Sequence, residues 1–99
     1  MTWRVRYTPA ARDDLKRLYG FLIERDIAAA RSALTAIEKG AGLLREFPFT
    51  CRKLDPDNPL VRELLVSFGN SGYALQYEIE DERTVTILAV RHQREDDYH

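Results

Sequence analysis

Three apolar segments in the second half of the chain constrain its fold most strongly. They span residues 61–68, 73–79 and 84–90, and two short polar connections separate them. The connections read Gly69-Asn70-Ser71-Gly72 and Glu80-Asp81-Glu82-Arg83, and both contain turn-forming residues. Apolar segments of this length, joined by short turns, predict three consecutive antiparallel strands. Such a sheet needs an apolar cover on at least one face, which the rest of the chain has to supply.

The N-terminal segment predicts a further strand and a first helix. Apolar and polar side chains alternate over residues 2–7, which is typical of a strand with one buried face. Thr8 is a good N-cap, and Pro9 fits the first helical position because its missing N–H is not required there. We expect the helix to continue to about Arg25. Its apolar stripe consists of Ala11, Leu15, Leu18 and Leu22.

A second helix is predicted from Asp26, which can cap it, towards Pro48, which stops the pattern. Gly40 and Gly42 each cost about 1 kcal/mol relative to alanine, so an irregular helix end is expected. The short connection makes the two helices an antiparallel hairpin. The apolar stripe of the second helix consists of Ala30, Ala33, Leu34, Ile37, Ala41 and Leu44. The residues expected to be buried against the sheet are Leu15, Leu18, Leu22, Ile37 and Leu44.

The segment 48–60 contains three prolines together with Asp55, Asp57 and Asn58, which predicts a surface loop. The complete order is then strand, helix, helix and three strands. This order indicates an α+β fold, in which a small twisted antiparallel sheet carries the helical hairpin of residues 8–47 on one face.

Length and composition exclude several classes of protein. Ninety-nine residues, 44% of them hydrophobic, suffice for one domain covering 1–99. Cys51 is the only cysteine and there are two histidines, so neither a disulfide framework nor a zinc site is expected. No apolar stretch approaches the ~18 residues of a membrane helix, and the N-terminus lacks a signal-peptide pattern, so we expect a cytoplasmic protein without a membrane partner.

The charge is distributed unevenly along the chain. Residues 1–53 contain eleven Lys or Arg against six Asp or Glu, whereas residues 54–99 contain four against ten. A basic half can attract nucleic acid or an acidic partner, and a solvated helical surface produces the same count without a ligand. Charge alone therefore leaves the partner open.

Four motifs occur along this element order. They are Trp3-x-Val5-x-Tyr7-Thr8-x-x-Ala11-x-x-Asp14-Leu15, Arg62-Glu63-Leu64, Tyr73-x-x-x-Tyr77, and the closing stretch from Ile87 to Tyr98. In this order they resemble the RelE/ParE superfamily of bacterial toxins. The resemblance covers nearly the whole chain. It implies the toxin of a type II toxin–antitoxin system, which inhibits growth when free of a cognate antitoxin and reaches operator DNA only through that antitoxin.

The RelE-like branch of the superfamily cuts messenger RNA on the ribosome. Cleavage without metal needs a base, an acid and positive charge on the phosphorane. The resemblance suggests Arg94 for the charge and Tyr98 or His92 for proton transfer, although Arg94 and Tyr98 are closer together than is usual in that branch. Arg52, Lys53 and Arg62 are candidates for contacting the RNA backbone. No cofactor or metal is implied.

The ParE-like branch inhibits DNA gyrase without cutting RNA, and Ala74 favours this branch. RelE-like toxins typically have an arginine directly after the first tyrosine of Tyr-x-x-x-Tyr, where this chain has alanine. Alanine cannot stabilise charge on a phosphate. We therefore expect a gyrase inhibitor, with a target-binding surface that includes Arg52, Lys53, Arg62, Arg91 and Arg94. The alternatives are a ribosome-dependent mRNA endoribonuclease and an inactive relic that only binds its antitoxin.

Several of these residues also have a purely structural interpretation. The aromatic residues Trp3, Tyr7, Tyr73 and Tyr77 are expected in the core or on a sheet face more often than in a binding site. Arg91 and Arg94 lie beside three acidic residues and can form solvated ion pairs. His92, at a strand end, is more often a surface or capping residue than a catalyst.

Overall fold

The computed structural model describes residues 2–69 and 71–93 and has the predicted α+β class. Both helices lie where the sequence predicts them, and the described residues form five strands. In chain order the elements are β1 (Arg4–Tyr7), α1 (Pro9–Ile23), α2 (Ile27–Leu44), β2 (Arg52–Asp55), β3 (Asn58–Phe68), β4 (Ser71–Ile79) and β5 (Thr84–His92). Neither helix is long and apolar enough to cross a membrane.

The five strands form one sheet in the order β1-β5-β4-β3-β2. The pairs β3–β4 and β4–β5 are antiparallel, as the short turns predict, and β2 pairs antiparallel with β3. Strand β1 pairs with β5 in parallel, Val5 lying opposite Val85 and Tyr7 opposite Ile87. The sheet is thus mixed, and the expectation of an entirely antiparallel sheet was wrong for this one pair.

The segment 48–60 is more ordered than a surface loop. It contains all of β2 and the first residues of β3, which pair as a hairpin. The turn-forming residues build the tight connection, because the Asp55 carboxylate accepts the backbone N–H of Asp57 at 2.8 Å and the Asn58 side chain accepts that of Leu60 at 3.2 Å. Every residue of β2 is exposed. The strand therefore lacks the alternation of apolar and polar residues from which a strand can be predicted.

Both predicted helix caps are present. The Thr8 side chain accepts the backbone N–H of Ala11 at 3.0 Å, and Pro9 begins α1. The Asp26 carboxylate accepts the N–H groups of Ala28 and Ala29 at 2.9 and 3.3 Å. Helix α2 continues without a break through both of its glycines to Leu44, so the irregular end expected there is absent.

The helical hairpin packs on one face of the sheet and forms the core there. Leu18, Ile37 and Leu44 are buried as predicted, whereas Leu15 and Leu22 are only partly buried at the edge of the core. Tyr73 and Tyr77 are fully buried, and Trp3 and Tyr7 pack against the core, in agreement with their structural interpretation. The sheet contributes mainly Val66, Tyr73, Leu75, Tyr77, Ile79, Val85, Ile87 and Val90.

Candidate target-binding face

The other side of the sheet carries no helix, and we call it the helix-free face. Strand alternation and register decide which side chains lie on it, since partners in register share a face. Its residues include Arg4, Arg6, Arg52, Val61, Glu63, Leu65, Ser67, Gly72, Ala74, Gln76, Glu78, Thr84, Thr86, Ala89 and Arg91. Arg4, Arg6, Arg52, Leu65, Ser67 and Arg91 are its exposed residues, whereas Glu63, Ala74, Thr84 and Thr86 are buried.

Ala74 lies at the centre of the helix-free face. Its partners in register are Leu65 on β3 and Arg91 on β5. Ala74 is only 2% exposed, whereas Leu65 is 49% exposed and Arg91 is also exposed. The short alanine side chain therefore lies below the side chains of its neighbours. What this part of the face exposes is Leu65 and Arg91 on either side of Ala74.

Arg52 is held by an acidic partner on the same face. Its guanidinium donates to one carboxylate oxygen of Glu63, from Nε at 3.0 Å and also from one terminal nitrogen. The second oxygen of Glu63 accepts a long hydrogen bond of 3.5 Å from Gln76. Arg52 remains largely exposed, but Glu63 neutralises its charge locally, so it contributes little net attraction to a phosphate.

Arg62 lies on the helix-covered face and forms hydrogen bonds with the backbone of the preceding segment. It donates to the backbone carbonyls of Pro59, Phe49 and Cys51, each at 2.8 Å, and it is only 9% exposed. Three hydrogen bonds to backbone carbonyls hold the guanidinium in place. Arg62 therefore ties the turn before β2 to the start of β3.

The remaining candidates are separated from one another. Lys53 lies opposite Arg62 in the register, hence on the other side of β2 from Arg52, and it is exposed. His92 lies opposite Tyr73, on the other side of β5 from Arg91, where Nε2 is 3.0 Å from the Ser71 hydroxyl and the ring packs edge-on against Tyr73. Arg94 and Tyr98 lie outside the described residues.

The buried tyrosines are not suited to proton transfer on this face. Burial raises the pKa of Tyr73, and burial together with a hydrogen bond to Cys51 raises that of Tyr77. The Tyr77 hydroxyl donates to the carbonyl of Pro48 at 2.7 Å, inside the core. Residues 2–69 and 71–93 contain no cluster of three or more metal-ligating side chains.

Thr86 is a residue that sequence reasoning did not single out. It is 1% exposed, and its hydroxyl has no hydrogen-bond partner among the described residues. Arg6 and Glu78 flank it in the register on the two neighbouring strands. The pairing of β5 with both β1 and β4 brings these three residues together, so no local sequence signal identifies them.

The family assignment follows from the whole chain. A sequence model of the family described as the ParE toxin of the type II toxin–antitoxin system parDE matches residues 5–97. The chain belongs to the ParE toxin family. It is thus a member of the RelE/ParE superfamily of type II toxins, as the four motifs imply.

Two bacterial proteins that are named as RelE toxins are similar to this toxin. Two proteins of Caulobacter vibrioides are named Toxin RelE3 and Toxin RelE1. The first is 36% identical over 91 residues, which cover 92% of this chain and 95% of the relative. The second is 33% identical over 79 residues, which cover 80% of this chain and 82% of the relative.

Two solved structures have the same fold. The chromosomal ParDE toxin–antitoxin system from P. aeruginosa superposes with a TM-score of 0.74 at 16% identity, covering 92% of this chain and 96% of the other. The toxin–antitoxin complex RelBE2 from Mycobacterium tuberculosis superposes with a TM-score of 0.60 at 29% identity. The match covers 94% of this chain and 100% of the other. Both of these structures are of toxin–antitoxin systems, and the shared fold leaves the cellular target of this toxin open.

Proposed function

We propose that this toxin inhibits growth by binding DNA gyrase through the centre of the helix-free face, and that it does not cleave RNA. The observation that carries the proposal is Ala74, which lies between Leu65 and Arg91 where RelE-like toxins have an arginine. An exposed leucine and an exposed arginine on either side of a short alanine are suited to the centre of a protein–protein contact, where apolar groups and arginine contribute much of the binding energy.

The positions of the candidate phosphate-binding and proton-transfer residues also favour protein binding over phosphate chemistry. A phosphoryl transition state needs donors aimed at its oxygens, and each one is worth about 2.7–4 kcal/mol. Here Arg52 is paired with Glu63, and Arg62 is bonded on the other face. His92 lies across the sheet from Arg91. We therefore propose a structural role for Arg62, and a target-binding role for Arg91.

A second candidate is a ribosome-dependent mRNA endoribonuclease, which the names of the Caulobacter vibrioides relatives favour. In that mechanism Arg94 stabilises the phosphorane, Tyr98 or His92 exchanges the proton, and Lys53 or Arg52 positions the RNA backbone. The third candidate is an inactive relic that only binds its antitoxin. The three are distinguished by what happens to messenger RNA and to DNA supercoiling.

The decisive experiment induces the toxin without its antitoxin, maps cleavage in cellular RNA, and assays gyrase supercoiling with the purified protein. We expect intact messenger RNA and inhibited supercoiling. Leu65→Ala and Arg91→Ala should each weaken gyrase inhibition by at least about fivefold, the effect of losing roughly 1 kcal/mol or more at an interface centre. Arg31→Ala, on the exposed side of α2, is the matched control and should have no effect.

Tyr98→Phe separates the first two candidates because it removes only a hydroxyl. Under the gyrase proposal it leaves toxicity nearly unchanged. Position-specific RNA cuts that disappear in Tyr98→Phe would establish the endoribonuclease instead. Unchanged growth, RNA and supercoiling on induction would identify the relic.

A further inference from the structure

A groove of about 750 Å³ lies at the end of the sheet where β4 ends and β5 begins. Three separate parts of the chain line it, namely Trp3 before β1, Phe49 before β2, and the turn of residues 80–83 between β4 and β5. Glu80 directly follows β4, whereas Ala74 lies near the start of that strand, about 20 Å away at ~3.3 Å per residue. The groove is therefore separate from the centre of the helix-free face.

Phe49 is held in place although half of its surface is exposed. Its ring packs edge to face against Trp3, with the centroids 5.9 Å apart, and the Arg62 guanidinium lies 5.4 Å from the ring centroid. The Phe49 carbonyl also accepts a hydrogen bond from Arg62 at 2.8 Å. Phe49 is 51% exposed, and Leu60, which lines the same groove, is 42% exposed. Apolar side chains that are already ordered lose little conformational freedom on binding, so they are suited to anchor a partner.

The turn between β4 and β5 supplies most of the charge around the groove. Residues 80–83 together with Arg4 contribute three carboxylates and two guanidiniums, which leaves one negative charge in excess. The Asp81 carboxylate builds the turn itself, because it accepts the backbone N–H groups of Arg83 and Thr84 at 2.8 Å each. Arg4 donates to the Thr84 hydroxyl at 3.4 Å. Asp81 and Arg4 are therefore used by the fold.

Glu80 and Glu82 have no such structural role. Both are exposed, and in the part of the chain that the structure describes neither side chain forms an ion pair. Carboxylates beside an apolar groove attract the basic side chains of a protein and repel the phosphates of a nucleic acid. The charge of this rim is thus complementary to a basic protein segment.

We propose that this groove binds a segment of a partner protein in which a large apolar residue stands between basic residues. The apolar side chain packs on Phe49 and Leu60, and the basic side chains pair with Glu80 and Glu82. An ordered aromatic anchor contributes most of the affinity of such a contact, and the charges at its rim contribute specificity. The site goes beyond the proposed inhibition of gyrase and does not depend on it.

The test uses the full-length toxin and two short synthetic peptides, one with phenylalanine between two arginines and one with phenylalanine between two glutamates. Binding is followed through the NMR signals of the backbone amides and of the Trp3 indole N–H. We expect the arginine peptide to bind and to shift the signals of Trp3 and Phe49, and the glutamate peptide not to bind. Added salt should weaken the binding, because exposed charges are screened.

Neutralising the rim tests the contribution of charge. Glu80→Gln with Glu82→Gln should weaken binding of the arginine peptide about fivefold, the effect of losing two exposed ion pairs. Glu24→Gln with Glu38→Gln is the matched control. It changes the net charge by the same amount at two exposed positions of the helical hairpin, and it should leave binding unchanged.

Removing the aromatic ring tests the anchor. Phe49→Ala should weaken binding about tenfold, whereas Phe47→Ala should leave it unchanged. The two are matched because Phe47 is 52% exposed, close to the value for Phe49, and does not line the groove. The amide spectrum of each variant reports whether it is folded. The glutamate variant changes only exposed side chains, so it tests the proposal even if Phe49→Ala disturbs folding.

The proposal would be overturned if the arginine peptide did not bind, if both peptides bound equally, or if the glutamate variant and its control lost binding equally. Shifts of the same signals with rising toxin concentration, without peptide, would identify a second copy of the toxin as the occupant instead. The same shifts on adding a short DNA duplex would identify a nucleic acid. None of these assays involves gyrase, so their failure leaves the gyrase proposal untouched, and a failure of the supercoiling assay leaves this site untouched.

Discussion

The carboxylate of Asp14 in α1 accepts a hydrogen bond of 3.0 Å from the backbone N–H of Val90 in β5. This contact lies beside an irregularity in β5, where Gln76 pairs with Ala89 and Tyr77 with Ile87, so that Leu88 has no partner residue in β4. The Thr8 hydroxyl donates to the Leu88 carbonyl at 3.3 Å. Two residues of the N-terminal family motif thus satisfy backbone groups that the bulged strand leaves available.

Removing the Asp14 carboxylate should destabilise the toxin measurably. Asp14→Ala leaves the N–H of Val90 without its acceptor, which costs about 1–3 kcal/mol of the free energy of unfolding. Asp14→Asn keeps an acceptor oxygen and should cost less. Urea denaturation measures both values. Asp13→Ala, one position away and exposed, is the control and should change stability by less than about 0.5 kcal/mol. Equal effects at the two positions would refute a specific role for this bond.

The two glycines of α2 should respond to alanine in opposite ways. A Cβ at Gly40 would lie 2.7 Å from Cγ2 of Val66, whereas a Cβ at Gly42 meets nothing within 4 Å. Gly42→Ala should therefore stabilise by roughly 0.5–1 kcal/mol through helix propensity. Gly40→Ala should destabilise, since overpacking a core typically costs about 1–3 kcal/mol.

A double-mutant cycle checks the cause at Gly40. Val66→Ala removes the methyl group that the new Cβ would meet, so Gly40→Ala with Val66→Ala should lose less stability than the sum of the single changes. Additive losses in thermal denaturation would mean that the close approach to Val66 is not the reason for glycine at this position.

Truncating Ile37, in the core between α2 and the sheet, should lower the free energy of unfolding more than the glycine substitutions do. Ile37 is 3% exposed, and Ile37→Ala should lower the free energy of unfolding by about 2–5 kcal/mol, through lost transfer energy and a residual cavity. Leu43→Ala is the control on the same helix, because Leu43 is 56% exposed and should tolerate the change. An unaltered denaturation curve for Ile37→Ala would contradict the packing of α2 on the sheet.

The sequence predicts the helices, their caps and the three long strands because each depends on local patterns. The direction of β1 relative to β5 depends instead on how often the chain reverses between them. With two helices and three strands after β1 there are five reversals, which makes the pair antiparallel. Strand β2 adds a sixth and makes it parallel. Missing one exposed four-residue strand thus accounts for the wrong sheet pairing.

The candidate site is harder to predict because side-chain direction depends on the register. Arg62 and Arg91 both end or interrupt apolar segments, and nothing local distinguishes them. The register places Arg91 beside Ala74 on the helix-free face and Arg62 beside Tyr77 on the other. The importance of Ala74 came from the family resemblance, and its central position came only from the assembled sheet.

Alkaline pH should destabilise the toxin through its buried tyrosines. Burial raises the pKa of Tyr77 above its ordinary value of 10.0, and that of Tyr73 and Tyr7 in the same direction. Below pH 10 both folded and unfolded states hold the phenolic proton, so stability does not depend on these groups. Above it the unfolded chain loses the proton first, and the free energy of unfolding falls with pH.

The fall should reach about 1.4 kcal/mol per pH unit for each tyrosine that stays protonated in the folded state. Urea denaturation at increasing pH measures the slope, and phenolate absorbance reports which state ionises. Tyr77→Phe removes one such group together with its hydrogen bond to Pro48. This variant should be less stable at neutral pH, with a slope shallower by about 1.4 kcal/mol per pH unit. An alkaline slope that is the same in Tyr77→Phe would mean that the Tyr77 hydroxyl is not protected by the core.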